Sequence, residues 1–168
     1  GNIVLTSGDS MGDSYITGGT GGSISLSSGY GEFKSSGSVV VQTSNAGTLG
    51  VSGHLSFTTG TTSSGSSGSI RIATGSATHG KSGDIVVSVG KSSSSTLVTG
   101  GNVVLTSGDA SSGTGGSISL SGGSGIASSS GSVVVRTLNA GTLGVSGHLS
   151  FTSGTTSSGS SGSIRIAT

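Results

Sequence analysis

A short phrase recurs eleven times in this chain and limits what it can fold into: a glycine, a small or polar residue, then apolar–any–apolar. It starts at Gly1 (GNIVL), Gly22 (GSISL), Gly37 (GSVVV), Gly53 (GHLSF), Gly68 (GSIRI) and Gly83 (GDIVV). It returns at Gly101 (GNVVL), Gly116 (GSISL), Gly131 (GSVVV), Gly147 (GHLSF) and Gly162 (GSIRI). The steps between these glycines are 21, 15, 16, 15, 15, 18, 15, 15, 16 and 15 residues. A fixed short period signals stacked copies of one unit rather than an ordinary globular domain.

With the lead glycine as position 1, positions 3 and 5 are apolar in every unit. The pairs are Ile3 and Leu5, Ile24 and Leu26, Val39 and Val41, Leu55 and Phe57, Ile70 and Ile72, and Ile85 and Val87. They continue as Val103 and Leu105, Ile118 and Leu120, Val133 and Val135, Leu149 and Phe151, and Ile164 and Ile166. A spacing of two places both side chains on one face of an extended segment. Position 7 is mainly Ser or Thr and is expected to point inward beside the pair. Glycines near positions 8 and 13, such as Gly75 and Gly80, are expected to supply the positive φ of tight corners. Small residues at position 10, such as Ala46 and Ala140, fit a second, flatter strand.

The expected fold class is therefore all-β: a thin parallel β-solenoid, or β-helix, with about 15 residues per coil and eleven coils. The 22 apolar residues would form its core ladder. At about 4.8 Å per coil it would be roughly 50 Å long. A six-coil super-repeat lies over the short one, since residues 22–74 match 116–168 at an offset of 94. The single domain 1–168 thus divides into a first copy, 1–100, and an incomplete second, 101–168. A six-residue insertion at about 11–17, carrying Met11, Tyr15 and Ile16, is expected to bulge as a loop. The coil from Gly83 has an extended turn with Lys91, Leu97 and Val98.

Composition alone would suggest a flexible linker: 44 Ser, 21 Thr and 36 Gly in 168 residues. The apolar pairs at constant phase argue against that. A net charge of +1 leaves no electrostatic footprint for nucleic acid or an anionic membrane. There is no Cys, so no disulfide or thiol chemistry, and no apolar run approaches a membrane span.

Each candidate chemical motif has a plainer reading. GSATHGKS at 75–82 satisfies the P-loop pattern, with Gly75 and Gly80 as the cradle, Lys81 on phosphate and Ser82 on magnesium. That pattern needs a helix next, whereas GDIVVSV follows, so the match is read as spurious, a corner in which Ser has become Lys. No cofactor is expected. GGTGGSISL at 18–26 resembles calcium-binding nonapeptides, but Ser23 stands where the ligand Asp belongs. His54 and His148 recur at one phase six units apart, too far to share a metal within one solenoid, and His79 stands alone. The carboxylates Asp9, Asp13, Glu32, Asp84 and Asp109 do not form a recurrent pair, so no catalytic residue is assigned and the chain is not read as an enzyme. An ice-binding face would need a uniform outward Thr array. Position 4 instead runs Val4, Ser25, Val40, Ser56, Arg71, Val86, Val104, Ser119, Val134, Ser150, Arg165. No Asn-x-Ser/Thr acceptor occurs, which leaves O-linked glycans on surface hydroxyls as the glycosylation to expect.

The first residue opens a unit and the last, Thr168, stops within one, so the segment reads as an internal piece with uncapped ends. Copies stacking end to end would satisfy such ends. Arg71, Arg136, Arg165, Met11 and Tyr15 are the expected lateral contacts.

The tracts GHLSFTTGTTSSGSSGSIRIATGSATHGKSGDIVVSVG and GGNVVLTSGDASSGTGGSISL resemble the Gly/Ser/Thr-rich tandem repeats of large secreted proteins in algae and stramenopile protists. That resemblance implies extracellular location and a place in cell-surface or flagellar-hair filaments. The expected function is a structural protein that forms or decorates such a fibre, with itself as partner. The alternative is an adhesion stalk that binds ice or glycans.

Overall fold

The computed structural model describes residues 2–11, 19–93 and 98–167. Tyr15 and Ile16 of the expected bulge, with Asp13, Leu97, Gly1 and Thr168, lie outside the described residues. The chain divides into two units, Gly1–Ile85 and Val86–Thr168. The division falls within the phrase GDIVV rather than at the boundary of the super-repeat.

Among the described residues there is no helix and no β-strand. The expectation of an all-β fold is overturned: neither β-solenoid nor β-helix describes this chain. Among those residues, too, no helix is long and apolar enough to cross a membrane.

The expected core ladder does not form, because no described hydrophobic side chain is buried. At position 3, Ile3, Ile24, Val39, Leu55, Ile70, Ile85, Val103, Ile118, Val133, Leu149 and Ile164 are all exposed. At position 5, Leu5, Leu26, Val41, Phe57, Ile72, Val87, Leu105, Leu120, Val135, Phe151 and Ile166 are exposed as well, most of them more so than their partners. The predicted alternation survives only as a bias. It is clearest in GSVVV, where Val39 and Val41 are 51% and 55% exposed against 74% for Val40 between them. In GDIVV only position 3 is sheltered: Ile85 is 53% exposed, while Val87 at 75% is nearly as open as Val86. Each pair can share a face, as its spacing requires, and that face stays about half or more exposed.

The physical reason lies in the sequence itself. Each unit offers two large apolar side chains for about fifteen ordered residues, and the residues available to cover them are small. Glycine, the costliest residue to order, fills the connections. Apolar burial on one face does not offset that, and among the described residues no backbone ladder forms between phrases. The chain exposes 16807 Å². A compact chain of this length would expose about 7,000 Å², and a fully extended one about 23,000 Å².

What does form is a series of closed loops in register with the repeat. Residues 32–34, 63–65, 78–80, 111–113, 126–128 and 157–159 are bends, all at positions 11–13 of their units. In the two sixteen-residue units a turn at 48–49 or 142–143 stands at the same place. A glycine corner forms at position 13 in three units, where Gly65, Gly113 and Gly159 have φ of 111°, 127° and 115°, whereas Gly75 and Gly80, the expected corners, lack positive φ. A side chain at those three would be strained. Four position 8 glycines, Gly8, Gly29, Gly108 and Gly123, work differently, as acceptors that close the loop.

Each closed loop joins position 7 or 8 of one unit to the lead glycine of the next. The Gly22 amide donates to the Gly8 carbonyl at 2.9 Å, Gly37 to Gly29 at 3.0 Å, Gly116 to Gly108 at 2.9 Å and Gly131 to Gly123 at 2.8 Å. Two position 7 hydroxyls reinforce this: Ser7 Oγ donates to the Gly22 carbonyl at 3.0 Å, and Ser28 Oγ to that of Gly37 at 2.9 Å. The lead glycine is required by close approach. A methyl group on Gly22, Gly37 or Gly116 would lie 3.2, 3.3 or 3.2 Å from the Cβ of the facing serine. So position 7 does not point into a core; it abuts the next phrase.

Where position 7 is Thr, as at Thr43, Thr59, Thr74 and Thr137, no backbone bond closes the loop onto the next lead glycine. The loop body matters too. In the two GTTSSGSS loops Thr62 and Thr156 make an internal turn, donating to the Ser64 and Ser158 carbonyls at 3.0 and 2.9 Å. Their hydroxyls also accept from the Ser64 and Ser158 amides. This local side-chain bonding competes with closure, which is why Ser153, although a serine, leaves its loop open.

Candidate interaction surface

The exposed apolar side chains fall into two sets. The first is the phrases themselves. In the first unit, the phrases from Gly53 and Gly68 lie side by side and enclose an open groove of about 610 Å³, lined by Ser56, Phe57, Thr58, Ser69, Ile70, Arg71 and Ile72. Its lining combines one aromatic and two isoleucines with three hydroxyl-bearing residues and one arginine. A cavity of this size falls within the range that binds a small ligand or a few side chains. The neighbours that make it repeat in sequence at 150–152 and 163–166, with Arg165 replacing Arg71.

The second set is the loop tips. NAGTLGVSG occurs verbatim at 45–53 and 139–147. In the first copy a turn is held by the Gly50 amide donating to the Gly47 carbonyl at 3.3 Å. It presents Leu49 and Val51 almost entirely to solvent, 102% and 97% exposed. Leu143 and Val145 repeat those values. Sequence reasoning, centred on the phrases, passes over these four residues. The signal that could have found them is a pair of large apolar residues in a glycine-bounded turn kept identical between the two copies.

Of the residues expected to make lateral contacts, Arg71 lines the groove, while Arg136, Arg165 and Met11 are exposed and Tyr15 lies outside the described residues. Lys81 Nζ pairs with Asp84 Oδ2 at 2.8 Å, both largely exposed, and no helix opens after Ser82. Gly75 and Gly80 face open space. Among the described residues no three His, Asp or Glu gather to hold a metal ion, and His54, His79 and His148 are exposed.

No family model, curated protein or solved structure matches this chain.

Proposed function

We propose that this chain is a structural, self-associating protein that forms or decorates an extracellular fibre. The observation that carries the reading is the uncovered state of every described apolar side chain, recurring at fixed phase. Large contiguous apolar exposure marks an interaction surface. A surface with a period of about fifteen residues is best matched by a partner with the same period, which is a second copy. Heterologous contacts between identical repeating surfaces propagate rather than close. A net charge of +1 opposes such association little. The 65 Ser and Thr residues, the sum of 44 and 21, keep the outside hydrated and offer acceptors for O-linked glycans. Extracellular placement rests on the resemblance to secreted Gly/Ser/Thr-rich repeats.

Sedimentation over a wide concentration range, with negative-stain imaging of the same samples, tests this. Concentration-dependent assembly into long unbranched fibres is the expected result. A chain that remains single at every concentration would defeat the proposal.

A further inference from the structure

We infer that the contact between copies is a tip in a groove: the turn carrying Leu49 and Val51 of one copy seats in the groove of Phe57, Ile70 and Arg71 of the next. This rests on the self-association reading and names the surface it uses. Leu49 and Val51 are nearly fully exposed, and so are Leu143 and Val145, their counterparts 94 residues later. Their turn is already fixed by the bond from Gly50 to Gly47, so little ordering remains to be done on docking. Residues 35–53 contain no Asp, Glu, Lys or Arg, so seating the tip buries no charge from that side.

The groove offers the complement. Phe57, Ile70 and Ile72 line it, and the one charged residue of its lining, Arg71, carries a donor with no acceptor capacity. The carbonyls of a turn are what such a donor lacks. One unit therefore bears both halves of a contact that it does not make with itself, since its own tip is exposed. The second unit repeats the exposed tip at Leu143 and Val145, and the groove-lining sequence recurs there at 150–152 and 163–166. That is the arrangement a propagating, heterologous assembly requires.

The test uses the full chain in two variants. The tip variant carries Leu49→Ser, Val51→Ser, Leu143→Ser and Val145→Ser. The groove variant carries Phe57→Ser and Phe151→Ser. Because the replaced side chains are exposed, neither set opens a cavity. Each variant alone should need about tenfold or more protein to assemble, as loss of a central apolar anchor does. Mixing the two should restore association, because each supplies the half the other lacks. A tip variant that assembles as the wild type does, or a mixture that stays dissociated, overturns the tip-in-groove contact and leaves self-association standing. A wild type that never assembles overturns both.

Discussion

Replacing Gly122 by alanine tests loop closure directly, with Gly123→Ala as its control. The two glycines are neighbours at positions 7 and 8 of one unit. A Cβ on Gly122 would stand 2.7 Å from the Gly131 carbonyl oxygen and 3.0 Å from its carbon, whereas nothing lies within 4 Å of one on Gly123. Ordinary contact begins at 3.4 Å, so the Gly131 backbone must retreat by about 0.7 Å. The bond from the Gly131 amide to the Gly123 carbonyl, 2.8 Å long, would stretch to about 3.5 Å and fail. Losing one such bond costs about 0.5–1.5 kcal/mol, or roughly 2- to 13-fold in the closed population. Gly123→Ala keeps the bond and reduces the freedom of the open chain, which favours closure by about 0.4–1 kcal/mol. Amide exchange at Gly131, read by NMR on the unassembled chain, should accelerate in the first variant and slow in the second. The Gly147 amide, which closes no loop, reports the unprotected rate in both. If Gly131 exchanges at the same rate in both variants, the closure described above is wrong.

Three further outcomes follow from the exposed state of the chain. Ile118→Ala should cost under about 1.5 kcal/mol in the single chain, since the side chain is already 52% exposed and leaves no cavity, against about 2–5 kcal/mol for a core isoleucine; chemical denaturation followed by circular dichroism measures it. The urea dependence of that transition should be about two-fifths of that of a compact chain this long, in proportion to the surface left to expose; a full-sized slope would show a core that the structure lacks. Lys81→Ala should change stability by no more than about 1 kcal/mol, because its ion pair with Asp84 is solvent-screened, and the difference should vanish in high salt.

Much of the local organisation was legible in the residues. The lead glycines marked the start of each unit, and glycines at position 13 marked corners in three units, though not at Gly80. Gly65, Gly113 and Gly159 could be read because positive φ is a property of a single residue. The absence of a solenoid was not legible, because alternation in Val39 and Val41 or in Ile70 and Ile72 shows only that two side chains can share a face. Whether that face is covered depends on what stands across from it, and a period of fifteen does not say. Leu49 and Val51 were missed for a related reason: outside the phrase, nothing local distinguishes a covered leucine from one at a tip.

The period, the apolar alternation and the bends at positions 11–13 of the described loops are local properties, since each depends on a few neighbouring residues and on glycine stereochemistry, and a reader of the residues could find them. How the loops close and what remains open are properties of the folded chain alone. Closure depends on a backbone bond from a lead glycine to a carbonyl eight or more residues back, joined in two loops by a serine hydroxyl. The exposure of the apolar pairs is a balance over the whole chain between small gains of burial and the large entropy of ordering glycine, and no single unit carries it.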